Sequence, residues 1–471
     1  MKSDPYEVDS LSASEIADLV RSRKIGAVEL MEHYLARIDE ANPAINAVVD
    51  IDREEALKAA EDADSGAGVG GLLKGVPYAV KDCFDVRGLR TTHGSVGSLS
   101  QIPKADSTHV SRLREEGAIP FVKTNMPPFG FGQQTLSSVF GLTRNPYNLS
   151  KTVTASSGGS AAALAARMTV IADASDIGGS ARCPAAACNV VGFRPSHAVI
   201  PWHPAYDPYS VANSVGLMAR TISDIALMLL ISSGSHKSTP TTSRKIDCFS
   251  ELTPPPAIAG IKVAWSYSPA GTSTHPMIAT VLDNCRNVFE GLGCLVEEAC
   301  PDLTDAHDAY RILCALETWS GVRGIKEANE EAFTPEFVNH VSRITKYSSD
   351  DIALAMMKRT RSWKLMADFF SRFDVMVWPV NPQPLYDAEL PESEIDFDWR
   401  PLEISPQFGL PSVSVPAGFS SDSLPVGIQI LGRPGADELV LRVARAFEAE
   451  TEYWKQGPPR IVGGKGLSPP H

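Results

Sequence analysis

The sequence predicts an α/β fold, a single large domain in which a central mixed β-sheet is surrounded by helices. Three observations carry this expectation. From residue 12 to about 236, short apolar runs bounded by turn residues alternate with segments of helical period. Further apolar runs at 375–379, 412–415 and 426–431 return far downstream, which favours distant segments sharing one sheet over independent modules. Hydrophobic residues make up 43% of the 471, enough to bury a large core.

Each element has a local reason. Ser12 followed by Glu15 is a capping-box pattern and predicts a helix through Ile16, Leu19 and Val20. Leu30, Met31, Tyr34, Leu35 and Ile38 recur at three- and four-residue spacing, predicting a helix that Asn42-Pro43 should end. A polar helix over 53–64 leads to the glycines of 66–71, a surface turn lacking the lysine and spacing of a phosphate-binding loop. The apolar run 75–80 reads as a strand that delivers Lys81 and Asp82. A lysine at a strand end is ordinarily solvated; carried inside by that run, it would lose hydration, favour the neutral amine and become available as a base.

A helix over 107–117 and a strand over 118–122 follow, then a loop containing Phe129, Phe131, Gln133 and Gln134 that suits either the wall of a site or packing beneath the surface. The stretch 154–195 holds two Gly-Ser turns, Ser156-Ser157-Gly158-Gly159-Ser160 and Asp176-Ile177-Gly178-Gly179-Ser180, around an alanine-rich helix. Such turns point consecutive backbone N–H groups into one space, the construction of an oxyanion hole, although a lone Gly/Ser turn is more often simple punctuation. A serine there also needs a base before it is a nucleophile. Downstream, a buried helix is expected near 221–230, a strand at 261–265, a helix over 275–289 and a strand near Leu295. Residues 304–372 read as helical, a candidate specificity-bearing insertion, and Pro379 places the run 375–379 at a strand end or sheet edge. A last helix is expected through Leu439, Leu441, Val443, Ala444 and Phe447.

Composition narrows the function. The formal charge is −13 and no long basic tract occurs, which disfavours a nucleic-acid partner. The start MKSDPYEVDS has no basic-then-apolar leader, and no run of roughly 20 apolar residues suggests a membrane span, so a soluble cytoplasmic protein is expected. Eight cysteines in this length suggest no disulfide scaffold, and neither Cys183/Cys188 nor Cys294/Cys300 has the partners of a zinc site. Cys183, three residues after Ser180, has no nearby histidine to activate it. No metal or cofactor motif is read.

The ordered motifs resemble the amidase signature family of serine hydrolases. They are Ser156-Ser157-Gly158-Gly159-Ser160, then Asp176-Ile177-Gly178-Gly179-Ser180-Ala181-Arg182-Cys183-Pro184, then Gly192-Phe193-Arg194-Pro195, with Gly75-Val76-Pro77 leading to Lys81-Asp82 upstream. The resemblance runs from about residue 12 to 236 and resumes from Phe408-Gly409-Leu410-Pro411 to Arg433-Pro434. It implies one amidase signature domain over 1–471 and a Ser-cisSer-Lys triad, with Ser180 as nucleophile, Ser156 as the bridging serine on a cis peptide and Lys81 as base. Ser156 stands 24 residues before Ser180, as in the family, which favours it over Ser157. Backbone N–H groups of Ile177, Gly178, Gly179 and Ser180 would form or support the oxyanion hole, while Asp176, Arg182 and Ser157 would support the turns.

The sequence departs from the family at Thr154-Ala155, where two glycines are usual, and at Ala174-Ser175, which replaces Gly-Thr. Asn125-Met126-Pro127-Pro128-Phe129 likewise replaces an Asn-Met-x-Glu-Phe motif. The expected activity is metal-independent hydrolysis of a small-molecule amide, with esters or carbamates as further substrates. The alternatives are the glutaminase subunit of an amidotransferase complex and a noncatalytic ligand-binding relative. Phe129, Phe131, Gln133, Trp202, Tyr206 and Trp378 are candidate substrate contacts, and the protein is expected as a monomer or homo-oligomer. His203 is not needed by such a mechanism.

Overall fold

The computed structural model describes residues 8–458 apart from 69, 206, 242–243, 329–336 and 339–341. Eleven strands form one mixed sheet: β1 (Val48–Ile51), β2 (Pro77–Lys81), β3 (Ile119–Thr124), β4 (Ile171–Asp176), β5 (Val191–Arg194), β6 (Ser214–Ala219), β7 (Lys262–Trp265), β8 (Leu295–Glu298), β9 (Val375–Pro379), β10 (Ser412–Phe419) and β11 (Pro425–Gly432). Their spatial order is β1-β3-β2-β4-β6-β5-β10-β11-β9-β7-β8. The C-terminal strands β10 and β11 thus lie beside β5 in mid-sheet, as the late apolar runs predicted. Strand β9 is interior, and Pro379 is its last residue, where a missing N–H is tolerated.

Local chemistry fixes the elements. Ser12 and Glu15 form the expected reciprocal cap on the helix Ala13–Arg21. The helix Ala27–Ile45 runs past Pro43, contrary to the expected stop at Asn42-Pro43. Its end is instead organised by Asn42, whose carbonyl accepts from Asn46 N, while its side chain accepts from Ala47 N and Val48 N. One lost donor near the end of a long helix is therefore absorbed.

Strands β2 and β4 pair in parallel, so Lys81 and Asp176 emerge at the same edge of the sheet. Every residue of β2 is buried, matching its near-continuous apolar run. The helix α1 (Gly158–Ala165) is buried along its whole length and can approach because its first residues lack side chains. A Cβ on Gly159 would stand 2.3 Å from Asn125 N. A second small-residue helix, α2 (Arg182–Ala187), starts just after the turn that leaves β4. The expected helical region contains α3 (Thr304–Ala328) and α4 (Ser349–Phe370), which pack on each other. Among the described residues no helix is long and apolar enough to cross a membrane.

Candidate active site

Lys81 is fully buried at the end of β2, and its Nζ lies 2.7 Å from Ser156 Oγ, 2.8 Å from Ser157 Oγ and 2.8 Å from Ser175 Oγ. Loss of hydration lowers its pKa from 10.5 to about 8, against the pull of the nearby acidic groups. A neutral amine has two N–H donors and one lone pair, so three hydroxyls match its full bonding capacity. The Ala155–Ser156 peptide bond is cis. Ser175, on β4, supplies a third hydroxyl at the position where the sequence motif departs from Gly-Thr.

Below the lysine, Asp173 holds β2 to β4. Its buried carboxylate accepts from Lys81 N at 2.6 Å, Tyr78 Oη at 2.5 Å and His109 Nε2 at 2.9 Å. Sequence reading missed this support, because nothing local in residues 78, 109 and 173 announces that they meet.

The turn from Ile177 to Ser180 connects β4 to α2 and presents Ser180, with Ser157 N donating to the Ser180 carbonyl at 3.2 Å. Asp176 and Arg182 form a fully buried pair: the carboxylate receives Nε and Nη2 of Arg182, each at 3.0 Å, together with Gly179 N at 2.9 Å and Ala181 N at 3.1 Å. These contacts and Arg194 hold the Asp176 carboxyl below its usual pKa despite burial, the largest opposing influence. The Gly179 N–H is thereby already engaged by Asp176. It supports the turn. Gly179 has φ +102°, a conformation that favours glycine.

Two cavities meet at Ser180. The first, of about 220 Å³, is lined by Ser156 and Ser175 together with Phe129, Phe131 and Trp202. The second, of about 470 Å³, includes Ala155, Gly178, Gln133 and Tyr310 and also touches Phe131. Phe129 and Phe131 pack on Phe337 with ring centroids 5.2 and 5.3 Å apart. Gln133 is tied to the chain beyond β9, its Oε1 accepting from Trp399 Nε1 at 3.3 Å. Trp378 is elsewhere: it is 1% exposed, packs with Met376, Met366 and Leu431, and lines neither cavity. The alternation of β9 turns it into the core, so its expected substrate contact is not present. Tyr206 lies outside the described residues. Cys183 donates to Asn381 Oδ1 at 3.0 Å, and burial pushes its thiol up to about 12.

Helix α3 lines both cavities through Tyr310, Cys314, Glu317, Thr318 and Gly321. Their spacing puts them along one helical face, a signal present in the sequence but indistinguishable there from a packing stripe. The Tyr310 hydroxyl donates to the Ile177 carbonyl at 2.6 Å, so this helix also braces the Ser180 turn.

A serine on a strand-turn-helix, beside a buried lysine and two cavities, is an arrangement for acyl-transfer chemistry. Comparison with known proteins agrees. The Amidase family model matches residues 29–441, and the chain belongs to that family. It is 32% identical to the A-type subunit of the glutamyl-tRNA(Gln) amidotransferase of Geobacter metallireducens, over 96% of this chain and 99% of that protein. It is also 32% identical to an acylamidase of Rhodococcus erythropolis, over 93% and 95% of the two chains. The crystal structure of a bacterial aryl acylamidase of the amidase signature family superposes with a TM-score of 0.87 at 27% identity, covering 95% of this chain and 99% of that one. The fold is therefore the single amidase signature domain.

Proposed function

We propose that the protein cleaves the C–N bond of a small-molecule amide through an acyl-enzyme on Ser180, with esters or carbamates as further substrates. The observation that carries this reading is the contact of a buried, low-pKa Lys81 amine with Ser156 Oγ at the cavity that also holds Ser180. Neutral Lys81 gives its two N–H bonds to Ser157 and Ser175 and takes the Ser156 proton on its lone pair. Ser156 in turn accepts the proton of Ser180 as that oxygen attacks the carbonyl carbon.

The N–H groups of Ile177, Gly178 and Ser180 face the developing oxyanion, held in place by Asp176 from behind and Tyr310 from the side. Collapse of the tetrahedral intermediate breaks the C–N bond while Ser156 returns a proton to the leaving nitrogen. Water then cleaves the Ser180 ester by the same route. Every proton in this sequence is carried by a side chain of the protein or by water. The face of α3 that lines both cavities gives the region 304–372 its role in substrate choice.

A second reading, ammonia release from glutamine for a partner enzyme, is supported by the similarity to that amidotransferase component. A panel of aliphatic amides, anilides, carbamates and glutamine separates the two. Ser180-dependent hydrolysis of the non-glutamine amides supports the first reading; turnover confined to glutamine and requiring a partner supports the second.

A further inference from the structure

The first cavity carries a charge pattern that amide hydrolysis does not require. Its described lining contains three carboxylates, Asp85, Asp207 and Glu317, and no lysine or arginine. Its histidine, His93, is kept neutral: burial, with help from the Lys123 charge, lowers its pKa to about 3. Glu317 receives Ser210 Oγ and Ala212 N on one and the same oxygen, Oε2. Arg194, whose guanidinium feels the Glu317 charge, is fully buried outside this lining and gives its N–H groups to the carbonyls of Asp176, Ala212 and Val211.

Beside these acids a hydroxyl keeps capacity for a stronger hydrogen bond. Thr318 is 7% exposed and lines the cavity, and its hydroxyl has the Cys314 thiol, a weak hydrogen-bonding group, as its side-chain neighbour and no nitrogen or oxygen partner. A buried hydroxyl ordinarily has one. Met126, Phe129, Phe131, Trp202 and Val322 supply the apolar part of the wall, between polar groups that include Gln101 and Asn213. Such a cavity accepts an apolar body ending in a cation that also donates hydrogen bonds, and repels a carboxylate of the same length.

Ser156 decides which half of the substrate enters. It lines this cavity and not the second one, whose lining holds Ala155 and Gly178 and mixes Arg311 and Arg343 with Glu392, Asp396 and Glu403. The nitrogen that takes a proton from Ser156 therefore lies on the first side. We propose that the first cavity is the amine-half subsite and that it selects amines with an apolar body and a cationic end, so that the substrates are N-acyl derivatives of apolar diamines. The inference rests on the Ser180 hydrolase reading.

Two matched sets of amides test it. The first joins pentanoic acid to 1,5-diaminopentane, pentylamine or 5-aminopentanoate; the second joins pentylamine to 5-aminopentanoic, pentanoic or glutaric acid. In the first set kcat/KM should fall from ammonium to methyl to carboxylate, by about 10-fold or more across the series. The second set should show no such preference for the ammonium. Glu317→Gln and Asp85→Asn should each shrink the first ratio, with folding checked by circular dichroism. High salt should shrink it in the unaltered protein, which keeps the test independent of the variants. A flat or reversed order, or a cation preference confined to the acyl set, overturns the proposal. Failure to hydrolyse any of the five amides, with a Ser180-dependent burst from an activated ester intact, overturns it alone; loss of that burst as well overturns the hydrolase reading.

Discussion

Tyr310 Oη stands 2.6 Å from the carbonyl oxygen of Ile177, so a helix from the region expected to set specificity holds the turn expected to stabilise the reaction. The contact is close on both sides: a Cβ on Gly178 would lie 2.8 Å from the same hydroxyl. Tyr310→Phe removes the brace and keeps the ring. It should lower kcat by about 10-fold while changing KM much less, because the lost interaction orients donors to the transition state. Steady-state kinetics check this, and a merely structural role would instead lower thermal stability without splitting kcat from KM.

Burial sets the pH response. Lys81 accepts a proton only when neutral, and its pKa is lowered from 10.5 to about 8. Activity should therefore rise as pH increases through about 8 and then level off, where an unshifted lysine would place the rise above 10. Lys81→Ala should cost at least about 100-fold in kcat with the fold intact. A folded variant with full turnover between pH 7 and 9 would remove Lys81 from the mechanism.

The Asp176–Arg182 pair should matter to stability as well as to rate. Both groups are fully buried, and Arg182 also bonds Gln429 Oε1 at 2.9 Å and the Leu402 carbonyl at 2.8 Å. Arg182→Met removes the nearer of two cations from the buried Asp176 carboxylate, leaving Arg194 at 3.7 Å, and should cost about 3 kcal/mol in urea unfolding.

The two tryptophans make opposite predictions. Trp378→Ala should destabilise by about 3–5 kcal/mol while leaving the ranking of substrates unchanged, since the side chain is core. Trp202→Ala should alter that ranking, because the ring lines the cavity against Phe84, 5.0 Å away between centroids. Relative kcat/KM over a substrate panel distinguishes them.

Much of the site is written in short stretches. Lys81 follows from an apolar strand and the two Gly-Ser turns from their composition, because local backbone demands leave a mark on local composition, while the choice of Ser156 and Ser180 within those turns comes from the resemblance to the amidase signature family. Trp378 is misleading for the opposite reason: an aromatic near a strand end can face either a site or the core, and only the pairing of β9 with β7 and β11 and its packing neighbours show it facing the core. Asp173, Tyr310 and Glu317 act across separations that no window spans. The helix ending beyond Pro43 shows the same limit, since the side chain of Asn42 repairs what proline removes.

The central claim is that Ser180 carries the acyl group. Intact-mass measurement after reaction with an activated ester or a fluorophosphonate, followed by peptide mapping, tests it directly. The prediction is a single adduct on the peptide containing Ser180, absent from Ser180→Ala; labelling of that variant at the level of the unaltered protein would contradict the account.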